Sequence, residues 1–200
     1  MNSPNLTIMR QARQQLAPYW ALAVGITLLY SLITGIPGQL DESLVLLVLL
    51  ISGPLQLGYA LFCLNIARNN NPQFNNLFDG FKSFGNVLLS YILIALATLA
   101  GLLLFIVPGI IISLGLSMTF FILADDRSLT ATEALKKSWE LMNGHKMQLF
   151  GLILRFIPWY LLTIFTLFIG ALFVIPWQNV ALANFYDQLK KGTIGFNQEN

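Results

Sequence analysis

VLLSYILIALATLAGLLLFIVPGIIISLGLSMTFFILA, residues 87–124, runs without a single charged side chain. A helix needs ~20 apolar residues to cross the hydrocarbon core of a bilayer, so this stretch is long enough for two crossings. Near its middle stands Val107-Pro108-Gly109. Proline removes a helical hydrogen bond and glycine permits a turn, so the triplet predicts a tight hairpin between helices over 85–106 and 108–124.

The composition extends this reading to the whole chain. Of 200 residues, 56% are hydrophobic and 10% charged, against roughly 25% charged in an ordinary soluble domain. So few charges cannot cover the apolar surplus in water, and an integral membrane protein is expected. A net charge of +2, with no basic run interleaved with aromatics, gives no footing for nucleic acid. Cys63 is the one cysteine, which excludes an intrachain disulfide and a thiolate metal site. The first seventeen residues lack the apolar core of a signal peptide.

Six crossings are predicted, at 18–36, 43–66, 85–106, 108–124, 147–169 and 171–189. Gly53 and Pro54 predict a kink or re-entrant break in the second, and Gly170 a turn between the last two. Charge supports the count. The loop 37–42 carries Asp41 and Glu42 and no cation. Arg10, Arg13, Arg68, Lys82, Arg127, Lys136, Lys137, Lys146, Lys190 and Lys191 fall on the other side, ten of the eleven Lys and Arg. The positive-inside rule then puts both termini in the cytoplasm, with 1–190 as one membrane domain and 191–200 as a polar tail.

A mixed segment precedes each hairpin. DDRSLTATEALKKSWELMNGHK, residues 125–146, concentrates eight of the chain's twenty charges. Thr130 and Glu133 have capping-box spacing, and Gly144 suits a helix end, so a helix is predicted over 130–143. Ala131, Ala134, Leu135, Ser138, Trp139, Leu141 and Met142 share one side, and Thr132, Glu133, Lys136, Lys137, Glu140 and Asn143 the other. Glu133–Lys137 and Lys136–Glu140 are expected i,i+4 pairs. In 74–84, Phe74, Leu77, Phe78, Phe81 and Phe84 group in the same way, and in 6–17 so do Ile8, Met9, Ala12 and Leu16. The expected fold is an all-α integral membrane protein of six transmembrane helices arranged as three hairpins, each preceded by an amphipathic interfacial helix. LGYALFCLNIAR (57–68), LGLSMTFFILAD (114–125) and VALANFYD (180–187) align, which adds a threefold internal repeat to the expectation.

Catalytic groups are scarce. His145 is the one histidine and has no partner for a zinc site. Asp125 and Asp126 are adjacent, so on a helix they diverge by about 100° and suit capping rather than a shared site. Neither a metal nor a cofactor is expected. Arg155, near the midpoint of the fifth span, is the sharpest polar feature. A central arginine costs roughly 2.5–3.5 kcal/mol on insertion scales and requires a partner or a wet cavity. Asp187, Asn184, Gln56 and Asn65 complete a candidate intramembrane polar, anion or lipid site, with Asp187 as the expected partner of Arg155. The polar face of the island helix, Glu133, Lys136, Lys137 and Glu140, is a second candidate surface. Ala97–Gly101 and Ser113–Ser117 set small residues at close-packing spacing.

The ordered motifs SGPLQLGYALF, NLFDGFKSFG, IVPGII, FILADD, ATEALKKSWELMNGHK and WYLLTIFTLFIGALFVIPW…ANFYDQL, between about residues 6 and 189, resemble a widespread bacterial family of multi-pass membrane proteins known as a domain of unknown function. The GPL, FDGF and EALKKSW segments are more distantly similar to the membrane domain attached to some glycerophosphodiester phosphodiesterases. That resemblance implies a membrane module accompanying lipid-related enzymes, without the acids and histidines that hydrolysis needs. The expected role is a non-enzymatic scaffold, partner subunit or lipid-interacting module of the bacterial cytoplasmic membrane. Its partners would be membrane lipids, a second copy or another membrane protein. The rival is a small transporter or lipid-handling protein built around Arg155.

Overall fold

In the computed structural model, residues 4–35 and 44–198 are described. The expected loop 37–42, with Asp41 and Glu42, lies outside them. Every regular element among the described residues is helical. In chain order they are α1 (Pro4–Leu16), a 3-10 turn (Ala17–Tyr19), α2 (Trp20–Gly35), α3 (Val45–Ala67) and a 3-10 segment (Phe74–Ser83). There follow α4 (Phe84–Leu104), α5 (Ile106–Leu116), α6 (Thr119–Asp125), α7 (Ala131–Leu141), α8 (Lys146–Leu154), α9 (Ile157–Phe165) and α10 (Ala171–Gln198).

Among the described residues, five helical runs are long and apolar enough to cross a membrane: Pro4–Gly35, Val45–Ala67, Phe74–Leu104, Ile106–Asp125 and Lys146–Phe165. Their surfaces agree with their composition. α4 buries Val87, Ser90 and Gly101 while Leu89, Leu96, Leu99 and Leu102 to Leu104 are exposed. Such a face would be a large apolar patch in water, whereas lipid solvates it. These helices point to a multi-pass membrane protein.

Contacts divide the chain into two compact units, Met1–Leu32 with Phe62–Phe74 and Met147–Asn200, and Ile33–Leu61 with Asn75–Lys146.

In the second unit, the break between α4 and α5 falls on Phe105, which is extended (φ −166°, ψ 157°), and not on the Val107-Pro108-Gly109 triplet. Pro108 instead sits in the first turn of α5, where its missing N–H leaves no helical bond unmade. Gly109 serves contact, not turning: a Cβ on Gly101 would come within 2.9 Å of the Gly109 Cα. α3 runs unbroken through Gly53 and Pro54, so the re-entrant break, one of the two expected alternatives, is absent there. Proline removes a single N–H from the ladder, and the Ser52 hydroxyl donates to the Val48 carbonyl at 2.6 Å just before it. Two glycines bring the chain after α3 back onto it. A Cβ on Gly58 would lie 1.9 Å from the Leu77 carbonyl oxygen, and one on Gly80 1.9 Å from that of Pro54.

Phe74–Ser83 is a 3-10 helix, in which residues three apart eclipse. The expected five-residue apolar face therefore splits. Leu77 and Gly80 are buried, while Phe78, Phe81 and Phe84 form an exposed stripe in which the last two rings stack at 6.4 Å.

The predicted 108–124 span is two helices, interrupted at Ser117–Met118. Ser138 of α7 repairs the break, accepting from the Met118 amide at 3.2 Å and donating to the Gly115 carbonyl at 2.8 Å. Trp139 lies against Gly115, where any Cβ would meet the indole at 2.4 Å, and Lys146 Nζ sits 3.5 Å from that ring's centroid.

In the first unit the predicted 147–169 span is also divided, with Arg155 and Phe156 between α8 and α9. Pro158, in the first turn of α9, cannot donate to the carbonyl four residues back, which ends the earlier helix. The turn before α10 spends positive φ on Leu167 (50°) and Phe168 (66°), not on Gly170. α10 continues to Gln198, through most of the predicted polar tail. Cys63 is buried completely in α3.

Candidate functional site

α1 buries Ile8, Met9, Ala12 and Leu16, the four residues that group in the sequence. Their neighbours decide how it sits on α10. Trp177 donates its indole N–H to the Met9 carbonyl at 2.8 Å, and the Arg13 guanidinium stands 5.9 Å over the same ring. About two turns further along α10, Asn184 donates to Gln15 at 2.6 Å and accepts from Gln11 at 3.4 Å. Residues 9 and 13 thus meet position 177, and residues 11 and 15 meet position 184. α1 lies across α10, presenting one edge to tryptophan and the other to a buried amide.

The polar edge continues. Gln15 donates to the Ala67 carbonyl at 2.6 Å, capping one of the orphan carbonyls at the end of α3. The next residue, Arg68, clasps Asp187 at 2.6 Å. Asn184, only 4% exposed, is therefore satisfied on both its oxygen and its nitrogen.

These contacts rearrange the predicted site. Asp187 and Asn184 lie one turn apart on α10, but Asp187 is bound by Arg68 rather than Arg155. The half-buried Arg155 lies at the α8–α9 break, and among the described residues its guanidinium meets no hydrogen-bond or ion-pair partner. Asn65 and Gln56, both half-buried in α3, are engaged by other residues, and they fall in different units. The five are not gathered in one place.

The other edge of α1 borders a cavity of about 350 Å³ lined by Arg13, Trp20, Trp159, Phe173, Val174 and Trp177. Its aromatic residues fall in two groups of ring contacts. Trp20 meets Phe173 at 5.9 Å between ring centroids, and Trp159 and Phe156 each meet Trp177 edge-on at 5.1 Å. None of these residues belongs to the predicted site. The signal in the sequence was the spacing of Trp20, Trp159 and Trp177 within otherwise aliphatic helices, legible singly as interfacial anchors but not as the lining of one cavity.

The island helix has its predicted cap. Thr130 Oγ1 accepts from the Glu133 amide at 3.4 Å, and the Thr130 amide donates to the Glu133 carboxylate at 2.8 Å. The Thr130 amide and hydroxyl, both donating to the Glu133 carboxylate, hold it below the ordinary carboxylate range, as bonds from Ser128 do for Asp126. Ala131, Ala134, Ser138 and Met142 are buried, and Glu133, Lys136, Lys137 and Glu140 are exposed. Of the two expected ion pairs, Lys136–Glu140 is present at 4.0 Å, and Glu133 is drawn to Thr130 instead of Lys137. Among the described residues no group of three His, Cys, Asp or Glu could hold a metal ion.

Residues 97–193 match the model of a family described as "Protein of unknown function (DUF975)". That stretch covers the α4–α5 break, the island helix, Arg155 and the aromatic residues of α9 and α10, and leaves out α1. No curated protein matches the chain, nor does any solved structure.

Proposed function

We propose that this chain is a non-enzymatic, lipid-interacting module of the bacterial cytoplasmic membrane, crossing it six times as three hairpins with both termini in the cytoplasm. α10 supplies the sixth crossing, and α1, the 3-10 segment and α7 lie in the cytoplasmic interface, one before each hairpin. The observation that carries the lipid reading is the cavity under α1, lined by aromatic rings and one cation. Sites of this kind, mostly apolar with a single orienting charge, suit an amphipathic ligand. The resemblance of the GPL, FDGF and EALKKSW segments to membrane domains attached to glycerophosphodiester phosphodiesterases supports the same class of ligand. A second copy or another membrane protein would dock on the remaining lipid-facing surface.

A second reading, a small transporter or lipid-handling protein acting at Arg155, is favoured by the α8–α9 break, which places that guanidinium at an interruption of the helix. Native mass spectrometry of the chain purified with its own lipids separates the two. The lipid module predicts retained phospholipid that is lost in Trp159→Ala and Trp177→Ala and kept in Arg155→Gln. Loss in Arg155→Gln alone would move the site to the break, and a lipid-free protein would end the lipid reading.

A further inference from the structure

The lining of the cavity specifies more than an amphipathic ligand. Along α10 the character changes in order, from Asp187 and Asn184, both engaged, to Trp177, Val174 and Phe173, which face the space. Arg13 enters where the two regimes meet. Among the described residues its guanidinium meets no carboxylate, and it stands over the face of Trp177. An arginine over an indole keeps its charge and its N–H donors, so it can still accept an anion at its edge. The same contact occupies the ring face that would otherwise attract a choline or ethanolamine ammonium, and two cations on one ring repel. About 350 Å³ is the low end of ligand cavities, enough for a headgroup and the first part of one chain.

Building on the lipid-interacting reading above, we infer that the cavity holds one phospholipid of net negative headgroup. Its phosphate rests on Arg13, and one acyl chain lies against Trp20, Trp159, Phe173 and Trp177. The polar edge of α1 fixes the helix on Asn184 and the end of α3, so that Arg13 is held over the cavity from the opposite edge.

The test uses the full chain in detergent micelles, carrying Trp139→Phe so that the three remaining tryptophans all line the cavity. Phosphatidylglycerol or phosphatidylcholine with brominated acyl chains is added at low mole fraction, and tryptophan quenching is read. The charged lipid should quench at about fivefold lower mole fraction, the size of one cation's contribution to an anionic headgroup. Arg13→Gln should abolish that preference, Arg13→Lys retain it, and Arg10→Gln, which removes equal charge from the same helix outside the cavity, leave it unchanged. Equal losses in Arg10→Gln and Arg13→Gln would reduce the effect to surface charge and overturn the inference. Equal quenching by both lipids would also overturn it while leaving the lipid reading standing. Absence of quenching by either would end both. Millimolar inorganic phosphate should not relieve the quenching, and relief would assign the site to a free anion.

Discussion

Arg68 holds Asp187 with two donors, Nη2 at 2.6 Å from one carboxylate oxygen and Nε at 3.1 Å from the other. The residues are 119 positions apart, and the contact joins the end of α3 to α10. Because the pair is partly exposed, it is worth about 0.2–1 kcal/mol. Asn184 is buried and its partner Gln15 half-buried, so Asn184→Leu, which leaves the Gln15 oxygen without its donor, should cost about 1–3 kcal/mol. Unfolding of Asp187→Asn and Asn184→Leu in detergent checks the order. A larger loss in Asp187→Asn would reverse it.

Ser138→Ala should destabilise the chain by about 1–3 kcal/mol, because it leaves both the Gly115 carbonyl and the Met118 amide without their buried partner at the α5–α6 break. Ser138→Thr keeps the hydroxyl and should recover part of the loss. Melting temperatures of the two variants give the comparison.

Gly58→Ala and Gly80→Ala each place a methyl 1.9 Å from a backbone oxygen. Neither oxygen can swing aside as a side chain would, so each should cost about 1–3 kcal/mol or more and lower the folded yield. Gly25→Ala and Gly85→Ala meet nothing within 4 Å and should be neutral or mildly stabilising.

The Glu133 carboxyl is held low by its bonds from Thr130. A depressed carboxyl contributes stability above its unfolded value and loses it as pH falls through the folded one. Amide exchange at Ala131 to Ala134 should therefore accelerate, after correction for intrinsic rates, as the pH drops below the usual carboxylate range. In Glu133→Gln that acid dependence should vanish. Persistence of it would shift the cause to another group.

A cysteine placed at Asp41 should react with an impermeant maleimide from outside the cell, and one at Lys137 only after the membrane is opened. The opposite pattern would invert the topology.

The sequence was most legible where one local rule decided the outcome. The capping spacing of Thr130 and Glu133 and the buried grouping of Ile8, Met9, Ala12 and Leu16 needed only helical periodicity. It misled where the period itself changed: Phe78 and Leu77 part company because the segment winds at three residues per turn. Pro108 and Pro158 were visible, but a proline is equally at home in a helix's first turn, and choosing between turn and helix start required the partner helix. The expected pairing of Arg155 with Asp187 went to Arg68 for a related reason. Arg155 was conspicuous because its span was otherwise apolar, whereas Arg13 and Arg68 lay among polar residues at helix ends. Nothing local showed that Arg13 would stand over Trp177 or that Arg68 would claim Asp187.

The burial of Cys63 has a practical consequence. With its only thiol sealed inside α3, the natural chain already behaves as a cysteine-free background toward aqueous reagents. Any cysteine introduced at an exposed position becomes the sole reactive handle, so single-site mapping by label, spin probe or crosslink can proceed without first disturbing the core.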